Sequence, residues 1–505
     1  MERLGRLFTA ILVLLFLSGS GSAWADAAKT DDLPRADPES QGIKASAIQA
    51  FVEGAEAKID AVHSVMVLRH GKVVAEGWWA PYGKDDPHVM FSLSKSFTST
   101  AVGMAIGEGK LSLDDSVLAA FPEDAPATPS DNLKAMRLRD LLRMSTGQHA
   151  DDVSAFHFDS DDKLTRVFLS LPVAHKPGTH FWYNTPATYM ASAMVQKATG
   201  QTVLDYLRPR LFEPLGIQDP TWDASKQGIS LGGFGLRIRT EDIARFGQLY
   251  LQKGEWRGKR LLSAEWIAEA TARQTSNGSS PTSDWEQGYG YQFWRCRHGL
   301  YRGDGAFGQF CIVMPEQDAV VAITSGTRDL AGVMNLVWEN ILPALQPQAL
   351  PEDPAAVTAL RRKLAGLTLP PPAGEATKPL AAKVSGKRYV FPANDAKLES
   401  VAVEFAKDRA VIVARQDGRE SRIPCGRGAW LRGDRLLTNG VAEKIAGSGA
   451  WTADDVFTAK LAAYETPFVR TLALQWKGDE LAVDTEYNVG FGERKRQRLV
   501  GKMAK

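Results

Sequence analysis

Phe91-Ser92-Leu93-Ser94-Lys95-Ser96-Phe97 decides the fold of this chain, and it opens a run of small and apolar residues that continues to Ile106. On a helix, positions i and i+3 share one face, so the Ser92 hydroxyl and the Lys95 amine can meet within one turn. A serine becomes a good nucleophile when a neighbouring base removes its proton, and a desolvated lysine with a lowered pKa can help to do so. Because S-x-x-K is frequent by chance, the rest of the chain has to support a catalytic interpretation.

The first residues have the pattern of a cleavable export signal. Met1 to Arg6 carries two arginines, Leu7 to Leu17 is apolar apart from Thr9, and Ala23-Trp24-Ala25 presents the small residues that a signal peptidase reads. The apolar run is shorter than the roughly 18 residues of a membrane span, which argues against an anchor. We therefore predict a signal peptide over residues 1–25 and a periplasmic or secreted mature protein, without stable membrane insertion.

Composition indicates a large globular protein and argues against some partners. The chain has 505 residues, of which 44% are hydrophobic, enough for two or more domains. Beyond residue 25 it carries 58 basic and 58 acidic side chains. A net charge near zero argues against nucleic acid or an anionic membrane as the main partner.

The cysteines and histidines predict no metal site. Cys296, Cys311 and Cys425 form no C-x-x-C motif, and the histidines show no paired spacing. Cys296 and Cys311 flank a glycine-rich connection between two strand-like segments, which allows a cross-strand disulfide. Two separate buried thiols are the alternative.

Hydrophobic periodicity predicts an α+β fold for the first two thirds of the chain. Residues 130–250 have mainly helical patterns, between strand patterns on either side. A sheet built from both ends of a segment, with a helical insertion between them, is an α+β architecture. The predicted strands are Ser64 to Arg69, Val73 to Trp79, Tyr289 to Trp294, Gln309 to Met314 and Ala319 to Thr324. The clearest predicted helices are Leu138 to Met144, Pro186 to Ala198, Glu241 to Leu251 and Leu330 to Leu345.

A second, all-β domain is predicted at the C-terminal end. Prolines cluster from Pro343 to Pro354 and again at Pro370 to Pro372, which indicates a linker over residues 347–383. Beyond it, short segments of alternating polarity are separated by turn residues. This pattern is typical of a small barrel or sandwich, here over residues 384–505.

Two further segments carry residues suited to chemistry. Pro177 to Thr185 contains Tyr183. A loop tyrosine can act as a general base or acid when a nearby lysine lowers the pKa of its hydroxyl or shares the hydroxyl proton. An ordinary core tyrosine is the alternative. In Tyr301 to Gln309, glycines would let an edge strand approach a substrate closely.

These three segments, in this order, resemble the motifs of the serine β-lactamase and penicillin-binding-protein superfamily. The resemblance is nearest to its class C-like branch of esterases, D-aminopeptidases and amide hydrolases. Leu138 to Gly147 is similar to the family's segment between the first two motifs, and Gly232 to Gly235 with Thr240 to Asp242 is similar to a later signature. The resemblance covers residues 34–346. It implies a β-lactamase-like catalytic domain, with an antiparallel sheet flanked by helices and a helical subdomain, followed by the small all-β domain.

The resemblance also implies roles for single residues. Ser92 would be the acylated nucleophile, Lys95 its proton partner, and Tyr183 the general base and later the acid for the leaving group. The oxyanion hole would be the backbone N–H groups of Ser92 and Ala306. No metal or cofactor is implied.

Two departures from the family pattern bear on the substrate. The third position of the Tyr-x-Asn motif is Thr185, with the asparagine at 184, and the third motif begins at Gly303 where the family has lysine or histidine. In the family that cation binds a substrate carboxylate, so its absence here disfavours β-lactams as substrates. A lysine at 303 is expected to restore the contact with the carboxylate. Arg302, as a strand neighbour, should point to the opposite face. The predicted substrate-binding residues are Asn184, Thr185, Gly303, Asp304 and Gly305.

The sequence therefore predicts an exported serine hydrolase acting on a small-molecule ester, amide or peptide through an acyl-enzyme on Ser92. A β-lactamase or D-Ala-D-Ala-type peptidase is the first alternative, and a non-catalytic binding or sensor protein is the second. No G-x-S-x-G elbow is present, which argues against a Ser-His-Asp hydrolase. Gly303 to Gly308 matches G-x-G-x-x-G, but a strand pattern follows it where a dinucleotide fold needs a helix.

Overall fold

The structure, a computed structural model, describes residues 32–149, 156–438 and 441–504, with backbone alone for 434–438, 441 and 442. The predicted signal peptide lies outside the described residues. Leu33–Lys505 pack as one compact unit. In the described part of the chain, no helix has both the length and the apolarity needed to cross a bilayer.

A six-stranded antiparallel sheet lies at the centre of the first part. Two strands come from before the helical insertion and four from after it, which confirms the predicted architecture. Three central strands are buried along their whole length, because helices cover both faces of the sheet. In spatial order the strands are Lys72–Trp78, Val62–Arg69, Ala319–Ser325, Gln309–Met314, Tyr301–Gly305 and Trp294–Arg295.

Helices surround this sheet and form the insertion. The predicted helices are confirmed. The last of them begins as the α-helix Leu330–Leu336 and continues through the π-helical turn Val337–Ile341 and the 3₁₀ turn Leu342–Ala344. Three short strands, His88–Val89, Leu236–Ile238 and Thr221–Trp222, form a small sheet of their own. Among the described residues, the α-helices before the linker range are Ala45–Lys58, Ser94–Gly107, Val117–Ala120, Asp131–Ala135, Leu138–Leu142, Leu164–Ser170, Thr185–Thr199, Val203–Leu207, Glu213–Leu215, Thr240–Leu251, Ala264–Thr271 and Leu330–Leu336.

The strand predicted over Tyr289 to Trp294 is wrong for most of its length. Only Trp294–Arg295 is a strand. The Gly290 N–H donates to the Phe293 carbonyl at 2.8 Å, and Gln292 has a φ of 66°. The chain therefore turns back on itself here, which an alternating pattern of apolar residues does not reveal.

Of the two alternatives left open for Cys296 and Cys311, the structure shows the second, since they are separate buried thiols. Cys311 lies on the Gln309–Met314 strand and packs into the core on one face of the central sheet. Cys296 packs into the core on the other face. The sheet itself stands between the two sulfur atoms.

The range predicted as a linker contains two helices, Pro354–Ala365 and Pro379–Val384. The first packs against Ala45–Lys58 through Val357 and Leu360. Proline is favoured in the first turn of a helix, where its missing N–H would have no partner. Pro354, one of the prolines that suggested a linker, therefore begins a helix, as does Pro379.

The C-terminal part is a β-barrel with its own apolar core. Ten strands run antiparallel in one sheet, and a parallel pairing of Cys425 with Gly447 joins Arg419–Gly426 to Val441–Trp451 and closes it. Trp451, Trp476 and Phe457 fill its interior. The strands are Arg388–Val390, Leu398–Phe405, Arg409–Gln416, Arg419–Gly426, Leu431–Thr438, Val441–Trp451, Val456–Ala463, Val469–Lys477, Glu480–Tyr487 and Leu499–Met503.

Candidate active site

Ser92 lies in the short 3₁₀ turn Phe91–Leu93, directly before the helix Ser94–Gly107. In a 3₁₀ turn, side chains three apart lie one above the other, so Ser92 and Lys95 face the same way. Phe91 has a φ of 40°, a conformation that is costly for a bulky residue. The turn is anchored on its other side by the Met90 N–H, which donates to the Leu236 carbonyl at 2.8 Å.

Lys95 is buried, and its amine lies beside the Ser92 hydroxyl. Lys95 Nζ donates to Ser92 Oγ at 3.2 Å, to Thr185 Oγ1 at 3.2 Å and to the Gly233 carbonyl at 2.8 Å. Burial lowers the pKa of Lys95 to about 7, against an opposing attraction from Asp304. A large fraction of this amine is therefore unprotonated near neutral pH and able to accept a proton.

Tyr183 lies close to both the Lys95 amine and Ser92. Lys95 Nζ is 5.1 Å from the centre of the Tyr183 ring, and that ring stacks on Trp294 with centroids 5.3 Å apart. Burial raises the pKa of Tyr183 above its usual range, as does the charge of Asp304, while a side-chain interaction with Ser92 opposes the shift. Tyr183 is therefore held as a neutral phenol, which suits it to donate a proton.

The segment that carries Tyr183, residues 175–184, is named the tyrosine loop here. It is fixed to the chain after the helix Leu138–Leu142 by backbone hydrogen bonds. The Trp182 N–H donates to the Met144 carbonyl at 2.9 Å, and the Gly178 N–H donates to the Ser145 carbonyl at 2.7 Å. The segment that resembled the family's region between its first two motifs thus supports Tyr183.

Both polar atoms of the Asn184 side chain are hydrogen-bonded within the protein. This argues against the substrate-binding role predicted for Asn184. It is buried and caps the helix Thr185–Thr199 by accepting from the Ala187 N–H at 3.1 Å. Its amide nitrogen donates to Gln148 Oε1 at 2.8 Å. Thr185, by contrast, accepts from Lys95 in the place where the family has asparagine.

The strand Tyr301–Gly305, second from the edge of the central sheet, lies directly against the turn that holds Ser92. A Cβ at Gly305 would lie 2.3 Å from the Met90 carbonyl oxygen, and one at Gly303 would lie 2.4 Å from Leu93 Cδ1 and 2.6 Å from Ser96 Oγ. The two glycines therefore allow the strand to approach this turn. The positions that their side chains would occupy face the protein and not a substrate. A lysine at 303 would have to displace the buried Leu93 and Ser96 side chains, which argues against the expectation that it would restore a contact with a substrate carboxylate.

Arg302 and Asp304 share the opposite face of this strand and form a buried pair. Arg302 Nε donates to Asp304 Oδ2 at 2.9 Å, and the guanidinium lies over Trp285 and Trp294, 4.8 and 5.6 Å from their ring centres. Arg302 is fully buried and Asp304 is 7% exposed. The Arg302 charge is thus paired with Asp304 inside the protein. The Asp304 charge in turn favours the protonated forms of Lys95 and Tyr183 by raising the pKa of each.

Four phenylalanines, Phe91, Phe307, Phe468 and Phe491, form an aromatic wall beside Ser92. Phe91 precedes the nucleophile and Phe307 follows Ala306, with ring centroids 5.6 Å apart. The other two come from the C-terminal barrel, and Phe491 lies 5.5 Å from Phe91 and 4.8 Å from Phe307. Phe491 is 75% exposed and stands between glycines in Gly490-Phe491-Gly492. An aromatic residue in such a segment is the one signal that could have indicated this wall from sequence.

The barrel is attached next to the nucleophile by hydrogen bonds from its loops. The Val89 N–H donates to the Glu465 carbonyl at 2.9 Å, and Tyr82 Oη donates to the Thr466 carbonyl at 3.0 Å. Asn488 Nδ2 donates to the Gly326 carbonyl at 2.8 Å. The C-terminal part therefore contributes side chains to the site, a role that the sequence did not indicate.

Within the described ranges, one group of three side chains could hold a metal ion: His149, His175 and His180. His149 belongs to a different segment from the other two, so no short motif joins them. The prediction of no metal site rested on such motifs and missed this group.

Gly305→Ala is expected to lower kcat/KM by roughly 10- to 100-fold, since small displacements of catalytic groups have effects of that size. The new Cβ would lie 2.3 Å from the Met90 carbonyl oxygen and push the strand away from Ser92. Hydrolysis kinetics and thermal melting of both proteins test this. Gly107→Ala, where a Cβ would meet nothing within 4 Å, is the matched control. An unchanged kcat/KM for Gly305→Ala would show that the close approach does not matter.

Comparison with known proteins identifies the family of the chain. A model of the Beta-lactamase family matches residues 48–346, more than half of the chain, so the chain belongs to the β-lactamase family of serine hydrolases. The 6-aminohexanoate-dimer hydrolase of Paenarthrobacter ureafaciens is 26% identical over 285 residues, covering 52% of this chain and 72% of that protein. A D-aminopeptidase of Brucella anthropi is 28% identical over 186 residues, covering 34% of this chain and 35% of that protein.

Two further comparisons concern an esterase and the fold. An esterase of Burkholderia gladioli is 25% identical over 178 residues, covering 30% of this chain and 45% of that protein. The chain thus spans less than half the length of this esterase and of the D-aminopeptidase. A solved structure from Bacillus anthracis, described as a 6-aminohexanoate-dimer hydrolase, matches with a TM-score of 0.52 at 19% identity. It covers 63% of this chain and 89% of its own, and it shows likeness of fold.

Proposed function

We propose that this protein hydrolyses a small-molecule ester or amide through an acyl-enzyme on Ser92. The observation that carries the proposal is the buried Lys95 amine, 3.2 Å from Ser92 Oγ, with a pKa lowered to about 7. A base that is partly unprotonated at neutral pH and touches a serine hydroxyl is what nucleophilic catalysis by serine requires. Relatives named for amide, peptide and ester hydrolysis support the same class of reaction.

In the proposed acylation, neutral Lys95 accepts the Ser92 proton while Oγ attacks the substrate carbonyl carbon. The backbone N–H groups of Ser92 and Ala306 donate hydrogen bonds to the oxyanion. Tyr183, a phenol at neutral pH, gives its proton to the leaving oxygen or nitrogen and regains one from the Lys95 ammonium. The leaving group departs and the ester on Ser92 remains.

Deacylation reverses these proton movements. A water molecule attacks the acyl carbon and gives its proton to the Lys95–Tyr183 pair, which returns one to Ser92 Oγ as the acid product leaves. This order makes Lys95 the first base and Tyr183 mainly the acid. The assignment from sequence made Tyr183 the general base for Ser92. The order proposed here differs from it because burial disfavours the phenolate form that a basic Tyr183 would need.

Two features favour esters and simple amides over β-lactams. Position 303 has no side chain, and the nearby Arg302 is buried against Asp304, so neither offers a charged contact to a substrate carboxylate. Such a contact contributes about 1.5–3 kcal/mol, or roughly 10- to 100-fold in efficiency. The aromatic wall beside Ser92 would instead contact an apolar part of the substrate.

The test compares p-nitrophenyl butyrate, a D-alanine anilide and nitrocefin with the same purified protein. We expect kcat/KM for the butyrate ester to exceed that for nitrocefin. Efficient nitrocefin turnover without ester or anilide hydrolysis would favour a β-lactamase instead. Absence of turnover and of Ser92 labelling with every substrate would favour a non-catalytic protein.

Phe491→Ala is expected to reduce the preference for longer acyl chains by about 2- to 10-fold, the effect of one aromatic contact. The ratio of kcat/KM for p-nitrophenyl octanoate to that for p-nitrophenyl acetate measures this preference. Because Phe491 is 75% exposed, its removal should not disturb folding. Val390→Ala, which changes another exposed apolar residue of the barrel, is the control. An unchanged ratio would exclude Phe491 from substrate binding.

We also propose that the protein is exported and that cleavage leaves a mature chain beginning at Asp26. The charged start, the apolar run and Ala23-Trp24-Ala25 support this. The intact mass of the periplasmic or secreted product measures the cleavage site directly. Recovery of the full-length chain in the membrane fraction would contradict it.

A further inference from the structure

The imidazoles of His149, His175 and His180 converge on one point of the surface. Their ring nitrogens, one from each residue, all lie within 4.8 Å of one another. His175 Nε2 and His149 Nε2 are 2.9 Å apart. The ring centroids of His175 and His180 are 4.4 Å apart, and those of His149 and His180 are 5.4 Å apart.

The chemistry of this group matches a transition-metal site. Three imidazoles with an open fourth position are a common ligand set for Zn²⁺, with Zn–N distances of about 2.0–2.1 Å. Tetrahedral geometry then places ligand nitrogens roughly 3.3 Å apart, between the 2.9 Å contact and the 4.8 Å span seen here. His149 is exposed and the other two rings are half-buried, so small rotations can close the site.

The electrostatic surroundings agree with this. Burial lowers the pKa of His180, and the neighbouring His175 and His149 lower it further. Metal ions bind neutral imidazole, which is the form of His180 that these surroundings favour. Among the described residues no carboxylate belongs to the group. An all-nitrogen set suits zinc, copper or nickel and not magnesium or calcium.

We propose that His149, His175 and His180 form a binding site for one divalent transition-metal ion, for which Zn²⁺ is the probe. The ion would join two segments of chain, since His149 follows Gly147 while His175 and His180 belong to the tyrosine loop. The backbone N–H of His175 already donates to the Gly147 carbonyl at 2.9 Å, so a hydrogen bond joins the two segments without the ion. Tyr183 follows His180 by three residues, so the ion would stabilise the position of the loop that carries Tyr183.

The test uses the full mature chain without a histidine tag, stripped by a chelator and then titrated with Zn²⁺ by calorimetry. We expect one ion per chain and a higher melting temperature with Zn²⁺, because a ligand that binds the folded state stabilises it. His175→Ala and His149→Ala should each weaken binding by at least about 10-fold and remove the thermal shift. His157→Ala, an exposed histidine outside the cluster, should bind like the wild type.

Circular dichroism of each variant establishes that it is folded. Should His175→Ala not fold, His149→Ala decides, because its ring is exposed and its loss leaves the core intact. Co²⁺ gives a second readout, since four-coordinate Co²⁺ with imidazole ligands absorbs visible light strongly. Zn²⁺ binding of equal stoichiometry and affinity in wild type and His149→Ala would overturn the proposal, as would no binding by wild type.

Discussion

Replacing Ser92 with alanine is expected to lower kcat by roughly four to six orders of magnitude, the usual effect of removing a serine nucleophile. The substitution removes the hydroxyl that accepts from Lys95 and leaves the half-buried turn around it unchanged. Hydrolysis of p-nitrophenyl butyrate measures the loss. A fluorophosphonate probe followed by peptide mass spectrometry should label Ser92 in the wild type and nothing in the variant.

Ser94→Ala is the matched control for this experiment. Ser94 is fully buried, and its Oγ accepts from the Leu236 N–H at 3.2 Å, so its role is structural. We expect its loss to affect stability more than the chemical step. Full activity of Ser92→Ala with loss of labelling in Ser94→Ala would place the nucleophile at 94 and contradict the proposed mechanism.

Lys95→Met is expected to lower the acylation rate by roughly 10²- to 10⁴-fold, since it removes the proposed base and keeps the apolar stem. Tyr183→Phe should lower it by a comparable factor through loss of the proton donor. The two groups lie on one proton path, so the double variant should lose less than the product of the two single effects. Single-turnover kinetics of the four proteins measures this coupling. Fully multiplicative effects would show that the two residues act separately.

The pH dependence of kcat/KM tests Lys95 further. With a pKa of about 7, the amine is protonated and inactive as a base below pH 7 and unprotonated above it. We therefore expect kcat/KM to fall about tenfold for each unit of pH below about 7 and to level off above it. The profile of Lys95→Met should lack this limb. A wild-type profile that is flat between about pH 5 and pH 9 would contradict the assignment.

The first motif could be interpreted from sequence because its geometry is local. Ser92 and Lys95 are three residues apart, and any tight helical turn brings such side chains together. Four of the six strands of the central sheet were predicted for the same reason, since each carries an apolar pattern of its own. Where the backbone departs from regular geometry, as at Gln292, the same patterns predicted a strand that is absent.

The sequence by itself determined the α+β class, the all-β character of the part that follows it and the order of the motifs, because each depends on residues close together in the chain. Tertiary structure decided what those residues do. Burial lowers the pKa of Lys95 and raises that of Tyr183, and packing removes Arg302 from contact with a substrate. The fold alone brings Phe491 to Phe91 and His149 to His175. Desolvation and long-range contact arise only when distant segments pack together, and no local pattern of residues encodes them.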